Sequence, residues 1–284
     1  MKPAPLSYRR AESVEHAVTL LGEHGDDARV LAGGQSLMPL LNMRRLTPRV
    51  LVDITRVPGL DRVNGPAVGA LVTQFALGEQ PRLDDAIGEC LPYTGHYATR
   101  HRGTIGGSIA FGEPRGELPL VLLTLGGAVS VSSVGGEREI AAENLYTGAY
   151  STTIKADELL VSTRWPRAGP GEGRAFTELA QRHGDFTLAC ACAAITVSHD
   201  EIVGARIGVG AVADRPLLVD GAARALIGVP AAGAHDVIAA AADATAREID
   251  AYDDHHASAR YRRHLAGALV ADAARRALDR ARHA

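Results

Sequence analysis

Two short glycine-bearing loops constrain this chain more than any other feature. Ala32-Gly33-Gly34-Gln35-Ser36 closes one apolar stretch, and Gly103-Thr104-Ile105-Gly106-Gly107-Ser108 follows Arg100-His101-Arg102. A predicted helix comes after each loop. Glycine sets no Cβ against a neighbour and tolerates positive φ, so such a loop can turn several bare N–H groups towards an anion. Either loop alone also reads as a tight turn between strand and helix. Neither has the Gly-x-Gly-x-x-Gly spacing of the usual dinucleotide fingerprint, and no lysine follows the first pair as in a Walker loop. Two loops in one chain, the second beside basic side chains and flanked by Thr104 and Ser108, point to a diphosphate gripped from both sides, and so to a dinucleotide.

The 284 residues leave room for two or three compact lobes. Val14, Ala17, Val18 and Leu21 recur at helical spacing, with Ser13 as N-cap and Gly25 as stop. Strands are predicted over Arg29–Ala32 and Val50–Ile54, with a helical turn over Leu37–Met43 between them. Ala67–Leu71 reads as a strand, Thr73 as a cap, Pro92–Arg102 as loop, and Leu118–Leu125 as an apolar helix. Ala128–Val134 and Glu137–Ile140 form a hairpin through Gly135-Gly136, and Leu159–Trp165 is a closing strand. The Gly/Pro-rich run Arg167–Gly173 is a linker. Beyond it lie three predicted strands, Ala175–Gln181, Thr187–Val197 and Ile202–Val212, with His199-Asp200 turning between the last two. Helices follow at Ala222–Leu226, His235–Glu248 and Ala257–His283, which makes an α+β plan. The divisions expected are 1–58, 59–168 and 172–284.

Composition excludes several partners. Hydrophobic residues make up 46% but aromatics only 4%, so the core is aliphatic. A net charge of -3 without a basic stripe argues against nucleic acid. The arginines at the C-terminal end, Arg275, Arg276, Arg280 and Arg282, read mostly as the favourable end of a helix dipole and a solvated face. Cys90, Cys190 and Cys192 are too few for an all-cysteine iron–sulfur cluster and do not suggest a disulfide framework. Inert buried thiols are expected, Cys190 and Cys192 on one face of a strand. No run suits membrane insertion, the N-terminus has no signal-peptide core, and a cytoplasmic location is the expectation.

Few residues offer other chemistry. Glu117 could accept hydrogen bonds from ribose hydroxyls, or simply suit the first turn of its helix; the residues leave both open. Asp253-Asp254-His255-His256 lacks metal-ligand spacing, and Asp254 or Ser258 is the better candidate to cap the last helix. His96, His101 and His183 read as polar loop residues rather than catalysts. No nucleophile elbow is present, and neither a catalytic residue nor a metal ligand is assigned.

At Ala32–Ser36, Leu51-Val52-Asp53-Ile54, Gly69-Ala70-Leu71, Gly103–Ser108 and Glu117-Leu118-Pro119 the chain resembles the FAD-binding medium subunit of molybdenum hydroxylases, a group that includes aerobic carbon monoxide dehydrogenase medium chains and the flavin domain of xanthine dehydrogenase. The resemblance continues through Arg182-His183-Gly184-Asp185-Phe186 and Ser258–Arg263. It implies a two-subdomain FAD-binding fold of the PCMH, vanillyl-alcohol-oxidase-like type, then a C-terminal α+β domain with a three-stranded sheet and helices. It also implies that Ala32, Gly33, Gly34, Gln35 and Ser36, with Leu37, and Thr104, Ile105, Gly106, Gly107 and Ser108 hold the FAD diphosphate region, Ile105 approaching the ring. Glu117 and Leu160 would stand near the adenosine and adenine, and Phe186 close to the flavin. Two departures flank the flavin side: His101 where relatives commonly have Asn, and Phe111-Gly112-Glu113-Pro114 in place of a small-residue pattern before Asp-Pro. They bear on which acceptor or partner the flavin meets.

The implied function is electron transfer. Substrate is oxidised at a molybdenum cofactor on a large subunit, and electrons pass through iron–sulfur clusters on a small subunit to FAD on this chain, then to an acceptor. The alternatives are a free-standing FAD-dependent oxidoreductase with a substrate pocket near Phe111 and Phe186, and a binding or assembly module without FAD. Substrate and final acceptor are not legible here.

Overall fold

The computed structural model describes residues 2–81 and 83–284. The first lobe is a three-stranded parallel sheet built from β1 (Ser7–Arg10), β2 (Ala28–Leu31) and β3 (Val50–Asp53), in the order β1-β3-β2. The central strand β3 is buried at all four positions. Helix α1 (Val14–His24) is capped by the Ser13 hydroxyl, which accepts from the His16 N–H, and packs Ala17, Val18, Leu20 and Leu21 inward. Between β2 and β3 the first glycine loop leads into α2 (Leu37–Asn42).

The second lobe holds β4 (Val63–Asn64), β5 (Ala67–Gly69), α3 (Gln74–Gly78), α4 (Asp85–Cys90), α5 (Tyr97–Arg100), α6 (Ile105–Phe111), α7 (Glu117–Thr124), β6 (Ala128–Ser133), β7 (Gly136–Ala141), β8 (Tyr146–Gly148), β9 (Ser151–Thr152) and β10 (Leu159–Arg164). Its five-stranded antiparallel sheet has the order β4-β5-β10-β6-β7. Every residue of α7 is buried, which fits a helix packed on more than one side. It meets α4 and α6 within its own lobe and the sheet of the third lobe across the seam.

That third sheet joins β11 (Glu172–Leu179), β12 (Ala189–Ser198), β13 (Glu201–Gly210) and β14 (Leu217–Leu218), antiparallel and in chain order. It has four strands, not three: the two-residue β14 pairs Leu218 with Gly208 and is too short to leave a periodic signal. On β12, Cys190 and Cys192 face α7 and the second lobe, while Ala191, Ala193 and Ile195 face the helices α8 (Asp220–Leu226), α9 (His235–Glu248) and α10 (Ala259–Ala281). Burial pushes the thiols of Cys90, Cys190 and Cys192 up, so none is ionised in the fold.

An ion network ties the second and third lobes. Arg174, 4% exposed, bonds Asp84 at 2.7 Å and Glu172 at 2.6 Å. Glu89 of α4 accepts the Phe176 N–H of β11 at 2.8 Å and the guanidinium groups of Arg276 and Arg280 of α10. These last two arginines correct the reading of the C-terminal helix end as mainly a solvated face. They reach back to an acid 187 and 191 residues earlier in the chain, a pairing that helical spacing cannot reveal.

Candidate nucleotide cleft

The two glycine loops meet. Gly33 lies so close to the Arg102 carbonyl and Gly103 Cα that any Cβ on it would overlap backbone. Gly107 of α6 faces Ala32, whose Cβ is 4.0 Å from where a Gly107 Cβ would stand. Around this junction run two adjoining clefts. One, of about 570 Å³, is lined by Ala32, Gly33, Gly34, Gln35, Asp53 and Arg102 among others. The second, of about 430 Å³, is lined by Ala32, Gly33, Arg56, Thr73, His101, Arg102 and Thr104 among others.

The local sequence explains both loops. After β2, Gly34 adopts φ +71°, the left-handed region that glycine enters without a Cβ penalty, and the chain reverses into α2. The N–H groups of Gly33, Gly34, Gln35 and Ser36 have no protein hydrogen-bond partner among the described residues. In the second loop the amides are engaged. Ile105 N–H donates to Val72 O at 2.9 Å, Gly106 N–H to Ala70 O at 3.0 Å, Gly107 N–H to the Thr104 hydroxyl at 3.1 Å, and Ser108 N–H to Thr104 O at 3.0 Å. Thr104 thereby caps α6.

The structure distributes the sequence-derived residues unevenly. Ala32, Gly33, Gly34, Gln35 and Thr104 line the clefts, with Ser36 exposed and Leu37 half-buried at the start of α2. Gly107 and Ser108 keep surface on the outer side of α6, whereas Ile105 and Gly106 turn inward against the second lobe. Glu117 is buried, and Leu160 packs in the second-lobe core. Phe186 stands exposed on the β11–β12 connection with the Arg115 guanidinium 4.2 Å above its ring. None of these last three lines either cleft.

Several cleft residues hold places that the sequence did not assign them. Asp53 ends the all-buried β3, and its carboxylate accepts from Tyr8 OH and from Thr55 N–H at 2.8 Å. Burial alone would raise its pKa, but these bonds and the nearby Arg10 outweigh that and hold it below the usual carboxylate range. A lone acid terminating an apolar strand was the available signal. His101 stacks on Phe75 with ring centroids 3.8 Å apart and sits 4.3 Å from Tyr97, an aromatic step built across α3 and α5. Asp253-Asp254-His255-His256 serves the backbone: Asp254 accepts the N–H groups of His256 and Ala257 and pairs with the buried Arg262 at 2.7 Å.

A cleft floored by glycine-loop amides between two mixed lobes defines an α+β nucleotide-cofactor protein. The family described as FAD binding domain in molybdopterin dehydrogenase matches residues 4–168, and that described as CO dehydrogenase flavoprotein C-terminal domain matches residues 174–277. The 6-hydroxypseudooxynicotine dehydrogenase complex subunit alpha of Paenarthrobacter nicotinovorans is 38% identical over 99% of this chain and 97% of its own length. The carbon monoxide dehydrogenase medium chain of Afipia carboxidovorans is 35% identical over the whole of both chains. Among solved structures, a Cu,Mo-CO dehydrogenase chain superposes with a TM-score of 0.92 at 34% identity, covering 99% of this chain and 100% of that one. A chain of quinoline 2-oxidoreductase from Pseudomonas putida 86 gives 0.91 at 33% identity, covering 99% of each. The chain belongs to the family of FAD-binding medium subunits of molybdenum hydroxylases, and FAD is its cofactor.

Proposed function

We propose that this chain orients FAD for electron transfer inside an assembly whose other members are a large molybdenum-cofactor subunit and a small iron–sulfur subunit. The observation that carries the reading is the junction of the two glycine loops, where four N–H groups of the first loop remain available beside Arg102. The residues fit the cofactor. The available amides and the Ser36 hydroxyl suit a diphosphate. Gly33 lets the first loop close directly on the Arg102–Gly103 backbone, and Thr104 lines the cleft from the second lobe. In this reading Glu117 and Leu160 serve the adenosine end, and Ile105 and Phe186 the ring end. FAD, when bound, supplies a carrier able to exchange electrons with iron–sulfur clusters and with a terminal acceptor. The chain itself binds, orients and shields; no acid or base step is assigned to its side chains.

Relatives matched over nearly their full length are named as subunits or medium chains of larger enzymes, which favours this reading over a free-standing oxidoreductase. Among the described residues no helix is long and apolar enough to cross a membrane. Three unpaired cysteines support a reducing compartment, and we place the assembly in the cytoplasm. The 1–58, 59–168 and 172–284 divisions remain our proposal for its units. Affinity purification of the chain from its native host tests the reading: flavin, molybdenum and iron should co-purify in fixed ratio. A flavin-loaded chain that turns over substrate without partners would overturn it.

A further inference from the structure

The first lobe sets a lone carboxylate in the wall of the larger cleft. The three strands of that lobe run parallel, so their carboxyl ends form one edge. In the ladder Asp53 stands level with Arg10 of β1 on one side and Leu31 of β2 on the other. The first glycine loop leaves that same edge directly after Leu31. Open parallel sheets take their ligands outside the carboxyl ends of the strands. The larger cleft lies there, and Asp53, Gly33, Gly34, Gln35 and Arg102 all line it.

A carboxylate is a poor neighbour for an anion alone. The Asp53 side chain is buried, and its hydrogen bonds hold it ionised, so a bare pyrophosphate in this cleft would meet a fixed negative charge. Nor does the fold use up the group. Tyr8 OH donates to one oxygen and Thr55 N–H to the other, while Arg10 Nε stays 3.8 Å away, beyond hydrogen-bond reach. A carboxylate offers about four acceptor sites, so each oxygen keeps one.

The cleft therefore has two chemical halves. The free amides of Gly33 to Ser36 and the Arg102 guanidinium can only donate, and Asp53 can only accept. A ligand that satisfies both carries anionic oxygens close to hydroxyl groups, as a phosphorylated sugar does. We infer that Asp53 accepts hydrogen bonds from the hydroxyls of a sugar esterified to the diphosphate that the first loop holds. The inference rests on the reading of the cleft as an FAD site. FAD presents such hydroxyls on both sides of its diphosphate, on the ribose of the adenosine half and on the ribityl chain of the flavin half. Asp53 thus fixes how the cofactor runs past the loop, and it favours a sugar-bearing diphosphate over a free one.

The test is binding to the flavin-stripped full chain, read by flavin fluorescence and calorimetry. The probes are FAD, an FAD analogue without the ribose hydroxyls, an analogue without the ribityl hydroxyl next to the phosphate, and inorganic pyrophosphate. Wild type should bind one of the two analogues about tenfold more weakly than FAD, and which one identifies the sugar. Asp53→Asn keeps the size of the side chain and removes its charge. It should bind FAD about tenfold more weakly and no longer distinguish FAD from that analogue. Pyrophosphate, which brings no sugar, should bind the variant at least as well as wild type. A merely structural role would instead weaken FAD and pyrophosphate together and leave the FAD-to-analogue ratio at its wild-type value, which overturns the inference. Equal wild-type affinity for FAD and both analogues overturns this inference alone, and that comparison stands even if the variant does not fold. A wild-type chain that takes neither FAD nor either analogue overturns the flavin-subunit reading with it.

Discussion

In the first glycine loop the amides of Gly33 to Ser36 have no partner within the protein, whereas in the second those of Ile105 to Ser108 all bond to Val72, Ala70 and Thr104. The glycines differ in the same sense. Gly34 serves a reversal at positive φ, while Gly106 exists because Ala70 leaves no space: a Cβ there would lie 2.5 Å from the Ala70 Cβ and 2.7 Å from its Cα. One loop leaves its donors unengaged, which suits the ligand role we propose for it, and the other uses its donors to lock α6 against the second sheet. Similar sequence patterns therefore arise from two physical needs, ligand approach and backbone packing.

This contrast can be broken by substitution. Gly34→Asp should abolish FAD uptake, measured as bound flavin absorbance, while lowering unfolding free energy by only about 1 kcal/mol, since a short polar residue tolerates the left-handed region. Retained flavin would remove the first loop from the grip. Gly106→Ala should do the reverse: overpacking against Ala70 costs about 3 kcal/mol in denaturant unfolding, with flavin lost only as the fold is lost.

The scaffold behind the second loop has a pH signature. The Glu117 carboxyl, raised to about 7 in the fold, binds protons more readily there than in the unfolded chain. Its contribution to stability is complete below the unfolded value near 4.5 and disappears as pH rises through about 7, an order of 3 kcal/mol. Unfolding free energy of the flavin-free wild type should fall over that window, and Glu117→Gln should flatten part of the fall. The smallest effects separate the loops most finely. Thr104→Ala, which strips the cap from α6, should lower stability by about 1 kcal/mol, whereas Ser36→Ala should leave stability unchanged and weaken FAD about threefold. Equal effects from both would erase the distinction.

Much of the architecture was legible in the sequence. Helix α1 with its Ser13 cap, the β6–β7 hairpin, the His199-Asp200 turn and the Ser258 cap fall where periodicity and turn chemistry place them. Short pieces were not: β1, β14 and α5 each span four residues or fewer, too little for a period to register. The loops themselves were legible as a pair, but not their difference, because an amide's partner lies on Ala70 or Val72, far from it in the chain. Asp53 at the cleft and the unpartnered oxygens of Glu178 depend in the same way on what tertiary packing brings near them.

The Glu89, Arg174, Arg276 and Arg280 network has a consequence for how such a subunit operates. Prising β11 from α4 would strand the buried Arg174 guanidinium without Asp84, a loss of about 3 to 5 kcal/mol for such a pair, while the half-exposed Arg276 and Arg280 contacts add less. A large hinge swing about that seam is therefore disfavoured on every turnover. With those lobes so stiffly joined, a flavin in the cleft keeps a fixed attitude to the third lobe, and it is the electron that travels while the frame stands still.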